Sequence, residues 1–341
     1  MQYRSVSDLN EAIVTNLARI PRDIDLVVGV PRSGLLAANL LSLAINVPLS
    51  DLDSFLDGRE YTSGTTKPVR YPNEPTRRRK ILLLDDSISS GSAMRQARAR
   101  IDQAQVDAEI VFAAVYGILD DHPEADLVLE KVDLPRIFQW NFMHHTIIEQ
   151  ACVDIDGVLC LDPTEDENDD GSAYLQFLKN AIPYHATTRK IGWLVTSRLE
   201  KYRPQTETWL ANAGIAYNKL VMLDLASKEE RQRLGAHGSF KAEIYKNCPS
   251  PLFIESDVEQ AEVIAAKTGK PVLCIETNHM HLPDPLSARQ IARRFRNLPT
   301  RLKVALLTAK LKQKKTVHRF VGDRTWNRLK KLRDSLYAKT N

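Results

Sequence analysis

Two short stretches of the chain set carboxylates where they could do chemistry. In ILLLDDSISSGSA (Ile81–Ala93) an apolar run ends in Asp85 and Asp86, then passes into Ser89, Ser90, Gly91 and Ser92. A Ser/Gly turn opening a helix presents backbone N–H groups and hydroxyls to a phosphate. The acid pair just before it can meet sugar hydroxyls or a cation. In ACVDIDGVLC (Ala151–Cys160) a second apolar run ends in Asp154, Asp156 and Gly157. Two carboxylates two residues apart at a strand end can share one Mg²⁺, or divide the roles of nucleophile and acid/base.

A third segment, VVGVPRSGLLAA (Val27–Ala38), sets Arg32, Ser33 and Gly34 at the end of an earlier strand and directly before a helix. Alone, PRSG is an ordinary turn. With the acid pair and the Ser/Gly turn downstream, it resembles type I phosphoribosyltransferases, which use 5-phosphoribosyl 1-pyrophosphate (PRPP). That resemblance implies Asp85 and Asp86 on the ribose 2- and 3-hydroxyls. It places Ser89, Ser90, Gly91 and Ser92 around the 5-phosphate. Arg32, Ser33 and Gly34 would clasp the pyrophosphate, with Mg²⁺ shared between ligand and water. Where the family ends its loop with a hydroxyl residue this chain has Ala93, so one phosphate contact lacks its usual donor. Between the two loops, the Gly/Thr/Pro-rich segment Phe55–Thr76 reads either as a plain surface loop or as a hood bringing Arg59, Lys67 or Arg70 to the leaving pyrophosphate. Loss of pyrophosphate from C1 passes through an oxocarbenium-like state. The protein's task is then to position the donor, stabilise leaving-group charge and exclude water.

The Asp-x-Asp-Gly stretch is followed in order by WLVTSR (Trp193–Arg198), FKAEIYK (Phe240–Lys246) and LFIESD (Leu252–Asp257). Together the four resemble the haloacid dehalogenase (HAD) superfamily of phosphatases. By that resemblance Asp154 is the nucleophile that takes up the phosphoryl group, and Asp156 is the general acid/base. Thr196 and Lys241 steady phosphoryl oxygens. Asp154, Asp156, Glu255 and Asp257 form the Mg²⁺ set, although Glu-Ser-Asp replaces the adjacent acids of many members, which leaves open whether Glu255 or Asp257 touches the metal. Only 39 residues separate Asp156 from Thr196, too few for a large cap. Asp162–Asp170 between them reads as a solvated acidic loop. His144–His145 and His279/His281 lack a third ligand at sensible spacing and read as structural.

These residues need strands to carry them. Ile24–Val30, Lys80–Leu84 and Ala108–Gly117 are strand-like runs separated by helical patterns, the signature of a parallel α/β sheet. The pattern restarts near residue 150 with Ile148–Asp154, Ile191–Thr196, Leu252–Glu255 and Val272–Ile275. The expected architecture is therefore two Rossmann-like parallel-sheet α/β domains in tandem, 1–145 and 146–283, the second with a minimal cap. A helical tail, 284–341, follows.

The chain has 341 residues, 43% hydrophobic and 26% charged, which excludes a mostly disordered or fibrous protein. Its net charge of +4 hides a split. Leu286–Asn341 carries 17 Lys and Arg against two acids, a net of +15, and residues 1–285 carry 30 bases against 41 acids, a net of −11. Within the tail, Ile291, Phe295, Leu298, Leu302 and Leu306 form one apolar helical face. A basic amphipathic helix of this kind suits an anionic membrane surface. Packing on the acidic body or at a homodimer interface suits it equally, and nucleic acid ranks third for want of a recognition motif. No apolar stretch reaches bilayer length and the N-terminus has no signal core, so the expected location is cytoplasmic, with peripheral binding to the inner membrane face left open. The four cysteines form no CxxC pair and read as buried thiols.

Transfer from PRPP leaves a 5-phosphate on the transferred ribose, and a HAD domain removes such phosphates. The fusion resembles transferase–phosphatase pairs that supply ribofuranose to bacterial surface polysaccharides, which implies a lipid-linked glycan acceptor. Two alternatives stand beside it: a nucleobase-type acceptor whose nucleotide is then dephosphorylated, and a PRPP-sensing regulator that binds nucleic acid.

Overall fold

Strands that are apolar throughout need cover on both faces, and the chain supplies it by alternating them with helices. The computed structural model describes residues 1–61, 78–233 and 236–282. The segment 62–77, with Lys67 and Arg70, and the basic tail 284–341 lie outside the described residues.

The first lobe runs β1 (Gln2–Arg4), α1 (Val6–Thr15), β2 (Leu26–Gly29), α2 (Ser33–Ile45), β3 (Leu49–Asp51), α3 (Leu52–Leu56), β4 (Lys80–Ile88), α4 (Ser92–Gln103), β5 (Glu109–Gly117), β6 (Leu127–Lys131) and β7 (Arg136–Phe138). Five strands form a parallel sheet in the order β3-β2-β4-β5-β6. Ser5 opens α1 with a capping box, its hydroxyl accepting from Asp8 N and the Asp8 carboxylate from Ser5 N. Strand β4 is longer than the sequence suggests. It continues past Leu84 through both acids to Ile88, because β5 stays paired with it as far as Gly117. Asp85 and Asp86 thus belong to the sheet, not to the loop beyond it.

The second lobe runs β8 (Cys152–Val153), α5 (Ser172–Asn180), β9 (Ile191–Leu199), α6 (Arg203–Asn212), β10 (Tyr217–Leu223), α7 (Lys228–Arg233), α8 (Ala236–Asn247), β11 (Phe253–Glu255), α9 (Val258–Thr268), β12 (Val272–Cys274) and β13 (His279–His281). Its sheet order is β10-β9-β8-β11-β12-β13, parallel except for the last pair. The strand expected from Ile148 is shorter. Thr146–Glu149 forms a 3₁₀ turn because the His145 side chain accepts from Ile147 N, and pairing begins only at Cys152. All four cysteines are buried, Cys152 and Cys248 with their sulfurs 3.5 Å apart.

The lobes share packing. Strand β7 pairs with β1 outside both main sheets, and its side chains alternate between cores. Phe138 joins the first core, while Ile137, Phe142 and Met143 join the second. Met1–His281 accordingly forms one compact unit. Among the described residues no helix is long and apolar enough to cross a membrane.

Candidate functional sites

Both groups of candidate residues gather at carboxyl ends of parallel strands, where ligands of open α/β sheets bind. In the first lobe, the loop after β2 lies against the end of β4. A Cβ on Gly34 would stand 2.8 Å from Leu84 O and 2.9 Å from Asp85 Oδ1, so only glycine allows this approach. The PRSG loop and the acid pair thereby form one surface, with Arg32 exposed and Ser33 half-buried on it. Arg59, one of the residues offered by the sequence as a pyrophosphate contact, pairs with Asp57 at 2.8 Å on the exposed surface.

The Ser/Gly turn is held from behind. Glu124 N–H donates to His122 Nδ1, which leaves the proton on Nε2 for the Ser89 carbonyl at 3.0 Å. Arg95 donates to Ser90 O and pairs with Glu124. Gly91 is left-handed at φ 74°, and a Cβ there would meet Glu124 Cγ at 2.6 Å and His122 Cε1 at 2.9 Å. The backbone is thus fixed while Ser89, Ser90 and Ser92 stay exposed at the start of α4, free to face an anion.

Asp85 and Asp86 are 8% and 3% exposed. Burial, and then the charge of Asp86, push Asp85 up to about 8. Below about pH 4 the Asp85 carboxyl is protonated in both folded and unfolded chains, and its full contribution to stability is present. As pH rises towards 8 the unfolded carboxyl ionises while the folded one resists, so stability falls by up to about 1.4 kcal/mol per pH unit. Asp85→Asn removes that cost. We expect the ligand-free variant to unfold at a higher temperature than wild type at pH 8, by about 1–3 kcal/mol of stability, and to match it near pH 4. Thermal unfolding at the two pH values checks this, and a less stable variant at pH 8 refutes it.

In the second lobe, Asp154, Asp156, Thr196, Ser197, Lys241 and Asp257 line one cavity of about 540 Å³. Lys241, 1% exposed, donates to Asp154 Oδ2 at 2.6 Å, Glu255 Oε2 at 2.8 Å and Gln260 Oε1 at 2.9 Å. Burial pushes the Asp154 carboxyl upward although Lys241 opposes it, and burial lifts Glu255 to about 8. Glu255 does not line the cavity. Its other oxygen accepts from Ser256 N, and it shares the Lys241 ammonium with Asp154. Lys241 in turn spends its hydrogen bonds on this cluster.

Arg198, which the sequence reading did not single out, is the buried partner of Asp156. Its Nε lies 3.1 Å from both carboxylate oxygens and its Nη2 lies 2.6 Å from Oδ1. Burial disfavours the Arg198 charge, but Asp156 outweighs that and holds it firmly ionised. The signal was available: an arginine inside the apolar run of β9 needs a buried counter-charge.

The acidic loop is more than a solvated segment. Asp162 and Asn168 line the cavity. Asp169 accepts from Gly171, Ala173 and Tyr174 N at the start of α5, and Asp170 accepts from Tyr202 Oη, Lys201 Nζ and Lys228 N. Trp140 was also missed as a site residue: its indole N–H donates to Asp86 Oδ2 at 2.8 Å.

The acidic groups lining the cavity, Asp154, Asp156, Asp162 and Asp257 among them, offer oxygen donors. Among the described residues, no three acidic, imidazole or thiol groups converge as a closed metal centre. Such a set fits Mg²⁺, which keeps several waters and takes one or two carboxylates plus substrate phosphate.

Residues 3–142 match the phosphoribosyl transferase domain family. Solved structures similar to the chain include a purine phosphoribosyltransferase from Pyrococcus horikoshii at 17% identity, covering 41% of this chain and 92% of that one, TM-score 0.29. A xanthine-guanine-hypoxanthine phosphoribosyltransferase from Helicobacter pylori has the same identity and coverages with a TM-score of 0.30. A hypothetical protein from Neisseria gonorrhoeae with bound ppGpp is 15% identical over 41% and 89%, TM-score 0.31. No curated protein sequence matches the chain.

Proposed function

We propose, from a phosphoribosyl transferase domain at residues 3–142, that the chain transfers 5-phosphoribose from PRPP to an acceptor and then removes the 5-phosphate at its second lobe. One observation carries the relay: a single chain holds both a carboxylate-and-serine surface suited to PRPP and a cavity lined by Asp154, Asp156, Thr196 and Lys241. In the first site Asp85 and Asp86 bind the ribose diol, the Ser89–Ser92 turn receives the 5-phosphate, and Arg32, Ser33 and Gly34 face the pyrophosphate.

In the second site Mg²⁺ held by Asp154, Asp156 and Asp257 would neutralise phosphoryl charge. An Asp154 oxygen attacks phosphorus, the bond to the sugar oxygen breaks, and that oxygen takes a proton passed from solvent through Asp156. Water, losing a proton to Asp156, then attacks phosphorus and breaks its bond to the Asp154 oxygen. Phosphate is released, the Asp154 carboxylate is restored, and Asp156 passes its proton back to solvent. Arg198 holds Asp156 as the carboxylate that accepts this proton. Thr196 and Ser197 face the phosphoryl group, and Lys241 orients the nucleophile.

The acceptor we favour is a lipid-linked glycan at the cytoplasmic membrane face, because the +15 tail suits an anionic surface. A nucleobase-type acceptor is a second reading. The half-buried Trp140 beside Asp86 offers a flat aromatic surface to such a ring. The full-length protein with PRPP and Mg²⁺ should release pyrophosphate with lipid-linked glycan acceptors, giving a product that carries ribose without phosphate. Release with purine or pyrimidine bases instead selects the second reading, and no release with either class refutes the transferase.

A further inference from the structure

Asp86 is held from outside its own strand. The Trp140 indole that donates to its Oδ2 is fixed in turn, stacked on Phe138 at 4.8 Å and 5°, with Phe138 stacked on Tyr116 at 5.5 Å and 12°. Just upstream, buried Arg136 donates Nη2 to Ile88 O at 2.9 Å, gripping the end of the strand that carries the acid pair. The same stretch enters the other lobe: Ile137, Phe142 and Met143 lie in the second core on either side of Phe138 and Trp140. A few residues therefore connect the diol-binding carboxylate to packing that belongs to the second lobe.

We propose that Trp140 is a positioning residue for PRPP. By occupying Asp86 Oδ2 it fixes the carboxylate plane and leaves Oδ1 for the ribose diol, and its anchorage makes PRPP affinity depend on the second core. This rests on the PRPP reading of the first site. An aspartate carboxylate otherwise rotates broadly about its last torsion. The indole N–H at 2.8 Å from Oδ2 holds the orientation before the ligand arrives, so less ordering is left for binding. The effect acts on the ribose, not on the pyrophosphate, which meets the separate loop of Arg32–Gly34. That separation distinguishes positioning from mere packing.

The test is calorimetric titration of the full-length protein with PRPP in Mg²⁺, set beside titration with pyrophosphate in Mg²⁺, which lacks the diol. Trp140→Phe keeps the ring and removes the donor. It should weaken PRPP binding about tenfold and leave pyrophosphate binding within about twofold. Phe142→Leu, which trims only the second core, should weaken PRPP binding by about threefold, again with little change for pyrophosphate. Trp140→Phe with unchanged PRPP affinity, or with equal losses for both ligands, overturns the positioning role while the PRPP reading stands. Wild type that binds pyrophosphate but not PRPP overturns the reading and this inference together.

Discussion

Asp154→Asn should abolish phosphate release and leave the first reaction running. Supplied with PRPP, Mg²⁺ and a competent acceptor, the variant should accumulate a product heavier by one phosphoryl group than the wild-type product. Loss of a nucleophile that forms a covalent intermediate costs about a thousandfold or more, since neither half-reaction can proceed without it. The fold should survive. Lys241 now balances two buried carboxylates, Asp154 and Glu255, and the amide leaves it a one-to-one pair with Glu255 and its bond to Gln260. Asp154 also lies in the second lobe, outside the residues matched to the transferase family, so pyrophosphate release should stay near the wild-type rate. Mass analysis of the products decides the matter. Identical final products from variant and wild type would dismiss the relay, and loss of pyrophosphate release would mean that the two sites are not separable.

How far the residues alone could lead depends on how local each signal is. The Asp85–Ser92 arrangement is legible because strand, acids and phosphate turn follow one another within a dozen residues. The alternation of apolar strands with helices is legible for the same reason. What escaped is what the chain assembles from afar. Short strands such as β1 and β7 are defined only by pairing with each other, 134 positions apart in register. Trp140 meets Asp86 across 54 residues and Arg198 meets Asp156 across 42, so neither partnership leaves a local pattern. Glu255 stands at a strand end, as expected, but its bond to Lys241, which reaches it from α8, 14 residues upstream, leaves no local pattern. The acidic run Asp162–Asp170 is largely exposed, as its composition suggested, and what composition could not show is that Asp169 and Asp170 accept donors from α5, α7 and the Tyr202 turn.

The Lys241 cluster also carries the largest expected effect on stability. Lys241→Met removes the ammonium and leaves Asp154 and Glu255, 4% and 0% exposed, without a counter-charge. Breaking a buried ion pair by deleting one partner costs about 3–5 kcal/mol, because the remaining charge has neither water nor a partner. The cost should depend on pH in a definite sense. Burial already raises both carboxyls above their ordinary range, Glu255 to about 8, and loss of the cation that opposes the shift raises them further. Below the ordinary carboxylate range, under about pH 3, both are protonated in the folded and unfolded chains, and the variant loses little beyond the hydrogen bonds of the amine. As pH rises the unfolded carboxyls ionise and the folded ones do not, so the variant's stability should fall more steeply than wild type's up to pH 8. Denaturant unfolding of the full-length proteins at pH 5 and pH 8 measures the difference. A gap that is the same at both values would mean that Lys241 acts through packing, and a gap that narrows at pH 8 would show that the two carboxylates are solvated and that the cavity is wetter than its burial implies.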